Sequence, residues 1–351
     1  MESMKFNKPL IIAGPCSAES EEQVLATAQA LASTGKVDIF RAGVWKPRTK
    51  PNTFEGVGAE ALPWLVEARK QTGLPLAIEV ANTNHVESAM KHDIDIFWVG
   101  ARTTSNPFSM QEVAEALRGT DKMVYVKNPT SGDLELWCGG VERLQACGVK
   151  NLGLIHRGFS GYGTGDLRNA PMWHLALEMR RRMPELPMIC DPSHICGCRD
   201  YIKDISQQAA DLDYDGFMIE SHINPSVALS DAKQQLTPEA FAKLVEGIKW
   251  RAGESASQSY QTTLMSLREQ IDSLDGEILH LLAERMSVAE SIGRIKRDND
   301  VRILQSSRWE DIVKRTLARS SSLKLSESFL RTLLDAVHIE SISHQNKVMK
   351  E

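Results

Sequence analysis

No stretch of the 351-residue chain stays apolar for the about 18 residues that a membrane-spanning helix needs. The opening MESMKFNKPL also lacks the long apolar region of a signal peptide, so a soluble, cytoplasmic protein is expected. Cysteine is sparse: the six, at 16, 138, 147, 190, 196 and 198, are too few and too scattered for a disulfide framework in a chain this long. A strong charge imbalance is missing as well. The 41 Lys and Arg against 46 Asp and Glu leave a net charge of −5, which gives no footing to nucleic acid or a membrane as partner. What remains, 42% hydrophobic and 25% charged, is the composition of an ordinary globular protein long enough for two domains.

Short apolar runs recur from the start of the chain, at residues 9–14, 37–42, 76–80, 94–100, 123–126, 151–155, 187–190 and 216–219. Most have no polar alternation, as parallel strands covered on both faces should not. Helical patterns follow them, at 21–33, 60–71, 84–91, 110–117, 141–146, 172–183, 200–210 and 238–250. Eight such units in about 250 residues predict a closed TIM (β/α)8 barrel, with an open doubly wound sheet as the alternative. In a barrel the working groups sit where strands end. Cys16, Arg41 with Lys46, Arg48 and Thr49, Glu79, Arg102, Lys127, His156 with Arg157, Asp191 with His194, and Glu220 all fall at those ends.

Residues 251–261 are small and polar and read as a linker. Beyond them only helical patterns remain. Leu264, Leu267, Ile271, Leu274, Ile278, Leu281, Val288, Ile292 and Ile295 recur at steps of three and four along one long amphipathic helix. Two shorter helices, at 307–319 and 326–348, cannot cover a stripe of roughly 50 Å. A second copy of the chain is the simplest cover, so a three-helix, all-α domain that dimerises is expected. The boundaries read as a barrel over residues 1–252, a linker over 253–262 and a helical domain over 263–351.

Two kinds of group meet at the expected barrel mouth. Cys16, His194, Glu220 and Asp231 offer sulfur, nitrogen and oxygen, a mixed set that suits manganese, iron, cobalt or zinc better than magnesium or calcium. Cys196 and Cys198, close to His194, lack the spacing of a separate zinc site. Arg41, Lys46, Arg48, Arg102, Lys127 and Arg157 are cations, and arginine forks grip phosphate and carboxylate oxygens. A metal beside two anion-binding patches points to two small phosphorylated substrates joined next to a Lewis acid.

Gly14-Pro15-Cys16-Ser17, Arg41-x4-Lys46-Pro47-Arg48-Thr49, Gly100-Ala101-Arg102, Asp191-Pro192-Ser193-His194 and Leu229-Ser230-Asp231-Ala232-Lys233-Gln234 together resemble the type I-beta family of 3-deoxy-D-arabino-heptulosonate 7-phosphate (DAHP) synthases, over about residues 9–250. The resemblance implies condensation of phosphoenolpyruvate with D-erythrose 4-phosphate, the first step of the shikimate pathway. It implies a divalent metal, manganese foremost, on Cys16, His194, Glu220 and Asp231. It assigns phosphoenolpyruvate to Arg41, Lys46, Arg102, Lys127 and Arg157, and the aldose phosphate to Arg48 and Thr49. Lys46 and His194 are the candidate proton carriers by position. The sister family that uses arabinose 5-phosphate to make 3-deoxy-D-manno-octulosonate 8-phosphate carries Ala-Asn-Arg-Ser where this chain has Pro47-Arg48-Thr49, and some of its members replace the metal-binding cysteine.

In the tail, Arg285 occupies a slot in the apolar stripe, Lys296 lies three turns further on, and Arg268 lies on another face about 25 Å before Arg285. Leu267-Arg268-x-x-Ile271-Asp272, Leu282-Ala283-Glu284-Arg285 and Ile295-Lys296 resemble the all-helical chorismate mutase family over about residues 263–349. The resemblance implies an intertwined homodimer in which Arg268, Arg285, Lys296, Arg308, Ser341 and Gln345 bind chorismate, with Arg285, Lys296 and Gln345 acting on the rearrangement to prephenate. Gln305 and Trp309 stand where many members carry acids, with Glu310 as the available substitute. A purely sensing and dimerising tail is the alternative. A tail with both roles would carry feedback inhibition of the synthase by a pathway product such as prephenate.

Overall fold

A strand that is apolar on both faces has to be covered on both. Eight such strands form the first unit: β1 (Leu10–Gly14), β2 (Ile39–Arg41), β3 (Leu76–Val80), β4 (Ile96–Val99), β5 (Met123–Lys127), β6 (Leu152–His156), β7 (Met188–Cys190) and β8 (Gly216–Glu220). They are parallel and paired in sequence order, and β8 closes on β1 from Leu10↔Gly216 to Gly14↔Glu220. The sheet is therefore a barrel rather than an open, doubly wound sheet. The computed structural model describes residues 9–46, 53–161, 165–304 and 306–350. The chain divides into two compact units, Met1–Gly253 and Glu254–Glu351.

Alternation along the strands separates two cores. Leu10, Ile12, Ile39, Ala77, Ile96, Trp98, Tyr125, Ile155, Ile189 and Met218 pack together inside the barrel. Ile11, Ala13, Phe40, Ile78 and their neighbours on the other face meet the surrounding helices. Tyr125 fits inside because residue 153 is glycine: a Cβ there would lie 2.4 Å from the Tyr125 ring.

The helices around the barrel are α1 (Glu21–Ser33), α2 (Leu62–Thr72), α3 (Thr83–Lys91), α4 (Ala101–Thr104), α5 (Pro107–Ala116), α6 (Leu134–Ala146), α7 (Trp173–Arg182), α8 (Pro192–Cys196), α9 (Ile202–Asp211) and α10 (Pro238–Glu246). Helix α6 starts seven residues before the expected 141. Asp133 caps it by accepting from Leu136 N. The Gly139-Gly140 pair that looks like a breaker lies inside the helix. At Gly140 an added Cβ would meet Thr104, Val126 and Met110 at 3.4–3.8 Å, so the missing side chain permits close packing. Helix α5 also starts early, because the Asn106 side chain caps it and Pro107 occupies its first turn.

The last strand residue of β6 pins a loop that matters below. His156 Nε2 donates to Pro171 O at 2.7 Å, and Nδ1 faces the Tyr214 hydroxyl at 2.8 Å. The carbonyl can only accept, so the proton sits on Nε2 and the Tyr214 hydroxyl donates to Nδ1. Burial lowers the His156 pKa from 6.5 to about 4. The unfolded chain therefore binds the extra proton between those pH values. The neutral ring's contribution is complete above pH 6.5 and lost as pH falls towards 4, about 3 kcal/mol in all. In denaturant melts of the barrel at pH 7 and pH 4, the native protein is expected to lose about that much more stability than His156→Gln.

The second unit consists of α11 (Gln258–Asp298), α12 (Ser306–Leu317), α13 (Ser320–Leu323) and α14 (Glu327–Met349). The long helix begins inside the stretch that reads as linker, because the Ser257 side chain caps it by accepting from Tyr260 N. Its C-terminal half packs on α14. At Gly293 an added Cβ would stand 2.5 Å from Val348 Cγ2, and Met286 and Ala289 are buried nearby on the helix. Earlier along α11, Leu267, Ile271, Leu274, Ile278 and Leu281 are each more than half exposed. Among the described residues, no helix is long and apolar enough to cross a membrane.

Candidate active site

The C-terminal ends of the strands surround a cavity of about 470 Å³. Cys16 lies two residues beyond β1 and is fully buried. Its backbone N–H donates to Gln235 Oε1 at 2.8 Å, and the neighbouring Ser17 hydroxyl meets that of Ser230 at 2.6 Å. These two contacts tie the loop after β1 to the loop after β8. Close approach is built in at Gly43 too, where a Cβ would lie 2.4 Å from Cys16 O.

Ligand atoms of Cys16, Glu220 and Asp231 lie within 4.8 Å of one another. The Cys16 thiol donates to Asp231 Oδ2 at 3.4 Å and accepts from Lys46 Nζ at 3.0 Å. His194 Nε2 stands 3.8 Å from Glu220 Oε1, while Nδ1 is 2.8 Å from Asp191 Oδ2. The fourth expected donor thus borders the cluster, with a carboxylate behind its other nitrogen. Burial pushes the Cys16 thiol up to about 12, and the charge of Glu220 adds to the effect. Burial alone would raise Glu220 and Asp231, but the neighbouring His194 ring and Lys46 ammonium, with Arg41 beside Glu220 and Arg168 beside Asp231, hold each below its ordinary value. Two ionised carboxylates beside a buried thiol repel one another, and a divalent cation relieves that repulsion. The donor set fits such an ion.

Cations complete the cavity wall. Arg41 is buried, bonded to Glu220 Oε1 at 3.3 Å and Cys16 O at 3.1 Å, and its guanidinium lies 4.7 Å from the centre of the Trp98 ring. It faces the ligand cluster and does not line the cavity itself. Lys127 Nζ donates to Asp191 Oδ2 at 2.7 Å. Arg102 and Lys46 face the same space. Arg157 is 8% exposed and has no ion-pair partner among the described residues. Burial pulls its pKa down to about 10, so it remains a cation at neutral pH. An unpaired buried cation is costly, and an anion in the cavity would offset that cost. Arg48 and Thr49 lie outside the described residues.

Several cavity residues have no counterpart in the sequence reading. Arg168 bonds Asp231 Oδ1 at 3.3 Å and Gln234 Oε1 at 3.1 Å. Asn169 donates to His194 O at 2.6 Å. Both belong to the Gly-rich connection between β6 and α7, which has no periodicity to mark it. The one available signal was a further cation on the C-terminal side of a strand.

In the helical unit, Arg285 donates to the Ser341 hydroxyl. Ser341 and Gln345 are buried, and Gln345 Oε1 has no partner among the described residues. Lys296 donates to Ile303 O. Trp309 stacks on His338 with ring centres 4.0 Å apart, fixing α12 on α14 beside the exposed Arg308. Arg285, Ser341 and Gln345 are therefore brought together. Arg268, exposed 17 residues earlier on α11, lies about 25 Å along the helix from Arg285 in the same chain. Gln305 lies outside the described residues, and Glu310 is exposed.

A family model described as the DAHP synthetase I family matches residues 5–254, and one described as chorismate mutase type II matches residues 267–346. The phospho-2-dehydro-3-deoxyheptonate aldolase of Thermotoga maritima is 32% identical over 239 residues, 68% of this chain and 68% of that protein. The 2-dehydro-3-deoxyphosphooctonate aldolase of Geobacter sp. strain M21 is 27% identical over 265 residues, 69% of this chain and 92% of that one. A crystal structure of the Thermotoga maritima DAHP synthase superposes with a TM-score of 0.61 at 31% identity, covering 68% of each chain.

Proposed function

This chain belongs to the DAHP synthetase I family and carries a chorismate mutase type II domain C-terminal to its barrel in sequence, and from that premise we propose that it condenses phosphoenolpyruvate with D-erythrose 4-phosphate and rearranges chorismate to prephenate. The observation that carries the first reading is the cavity itself. A thiol–carboxylate cluster lies beside buried cations, one of them, Arg157, without a carboxylate partner among the described residues.

Phosphoenolpyruvate brings a phosphate and a carboxylate, and Arg102, Lys127 and Arg157 supply the opposing charge. Asp191 holds Lys127 and His194 in place from behind. Arg48 and Thr49 are assigned to the aldose phosphate. A divalent ion, manganese foremost, held by Cys16, His194, Glu220 and Asp231 would supply Lewis acidity toward the aldehyde oxygen. Carbon 3 of phosphoenolpyruvate attacks the aldehyde carbon, and Lys46, which burial would neutralise but the charges of Glu220 and Glu79 help keep as an ammonium, protonates the new oxygen. Water adds to the cationic carbon 2 and loses a proton. The bond from carbon 2 to the phosphate oxygen then breaks and releases inorganic phosphate. Phosphate release measured with erythrose 4-phosphate and with arabinose 5-phosphate tests this assignment. Turnover is expected with the four-carbon aldose, and activity with arabinose 5-phosphate alone would overturn it.

In the helical unit, Arg285 and Arg308 would grip chorismate's carboxylates. Lys296 and Gln345 would hydrogen-bond the ether oxygen as its bond to carbon breaks. The exposed stripe Leu267 to Leu281 supports a homodimer, which would also bring Arg268 from a second chain to this site. The same site would sense prephenate and inhibit the barrel. Inhibition of the synthase by prephenate is then expected to weaken at least tenfold in Arg285→Ala, and undiminished inhibition would restrict the tail to catalysis and dimerisation.

A further inference from the structure

The loop between β6 and α7 supplies no expected metal ligand, yet it reaches one ligand carboxylate, Asp231, directly and the other, Glu220, through Gln234. The two oxygens of each carboxylate have different partners. Asp231 directs Oδ2 to the Cys16 thiol, 3.4 Å away, and Oδ1 to Arg168 at 3.3 Å. Glu220 directs Oε1 towards Arg41 and His194, and Oε2 accepts from Gln234 Nε2 at 2.7 Å. Arg168 and Gln234 are themselves joined, with Arg168 Nη1 at 3.1 Å from Gln234 Oε1. Glu220 only accepts and arginine only donates, so both ends of the Gln234 amide are fixed by their partners.

Arg168 is held by its own backbone. Its N–H donates to Cys196 O at 3.1 Å, and its Cβ packs where a side chain at Gly197 would stand, 2.5 Å away. Gly197 has φ +71, a conformation that favours glycine. At the other end of the contact, Asp231 has φ +45, uncommon for a residue with a side chain. Such a backbone persists where the surroundings fix it.

We propose that Arg168 and Gln234 are a positioning pair for the metal site. By occupying the outer oxygen of each carboxylate, they leave Asp231 and Glu220 one inward oxygen apiece and keep two like charges from turning away from each other. The inference rests on the reading of Cys16, His194, Glu220 and Asp231 as metal ligands. It adds a function for two residues outside the expected ligand set. Outer partners of this kind typically set metal affinity over ten- to hundredfold.

Metal binding to the full chain, stripped of metal, tests it without reference to turnover. Manganese is titrated against free-ion paramagnetic resonance, and cobalt against its thiolate charge-transfer absorption. Arg168→Met and Gln234→Met keep the bulk of each side chain and remove its hydrogen bonds. Each is expected to weaken manganese binding about ten- to hundredfold. The double variant should bind about as the weaker single one does, because the two residues form one connection. Arg168→Lys should recover part of the loss. Manganese affinity within twofold of the native protein in both single variants would overturn the proposal, even if the KM for phosphoenolpyruvate rises. That pattern would make Arg168 a substrate contact. A native protein that binds neither ion would overturn the metal reading and this inference together.

Discussion

Cys16→Ala is expected to cut DAHP formation by about a thousandfold, since an ion that stabilises developing charge is worth several kcal/mol and each 1.36 kcal/mol is tenfold in rate. Sulfur is the softest donor in the cluster and sits between Asp231 and Lys46. The same residue gives a second, independent readout. With its pKa pushed up to about 12, the thiol is protonated in the metal-free site. Metal ligation requires the thiolate, so ion binding must expel that proton. Manganese added to the weakly buffered native protein is expected to release about one proton per site, and Cys16→Ala is expected to release far less. A variant that keeps full turnover and full proton release would remove Cys16 from the ligand set.

Arg285→Ala is expected to lower chorismate turnover by about 10²–10³, the usual cost of one donor aimed at developing charge. The native side chain is already fixed by Ser341. Its removal leaves the Ser341 hydroxyl without that cation, one helical turn from Gln345, whose Oε1 has no partner among the described residues. DAHP formation measured on the same preparation without prephenate should stay within twofold, since the two reactions are assigned to separate units. A loss confined to the synthase would place the arginine's role in the barrel's reaction and contradict the mutase assignment.

The barrel was legible because a doubly covered strand has to be written as a continuous apolar run, and all eight runs became strands. Boundaries were less so. Helix α6 extends back to Leu134 across a glycine pair whose purpose is tertiary: room for Thr104, Val126 and Met110. Helix α11 starts at Gln258 because a serine cap, not apolar periodicity, begins it. In the site, groups at strand ends were legible because the fold sends them to one rim. Arg168, Asn169 and the Gln234 bridge to Glu220 were not. They act through contacts 14 to 66 residues apart, and nothing in the local pattern of a glycine-rich loop records a partner at that separation. Arg268 shows the limit from the other side: its motif was visible, but within one chain it lies far along the helix from Arg285.

The joining of two phosphorylated substrates beside a metal is tested most directly by chelation. The purified full chain is stripped of metal, and DAHP formation from phosphoenolpyruvate and erythrose 4-phosphate is followed before and after manganese is returned. The expected result is turnover close to zero in the stripped protein and recovery with about one equivalent of manganese per chain. Undiminished DAHP formation by the metal-free protein would contradict the account.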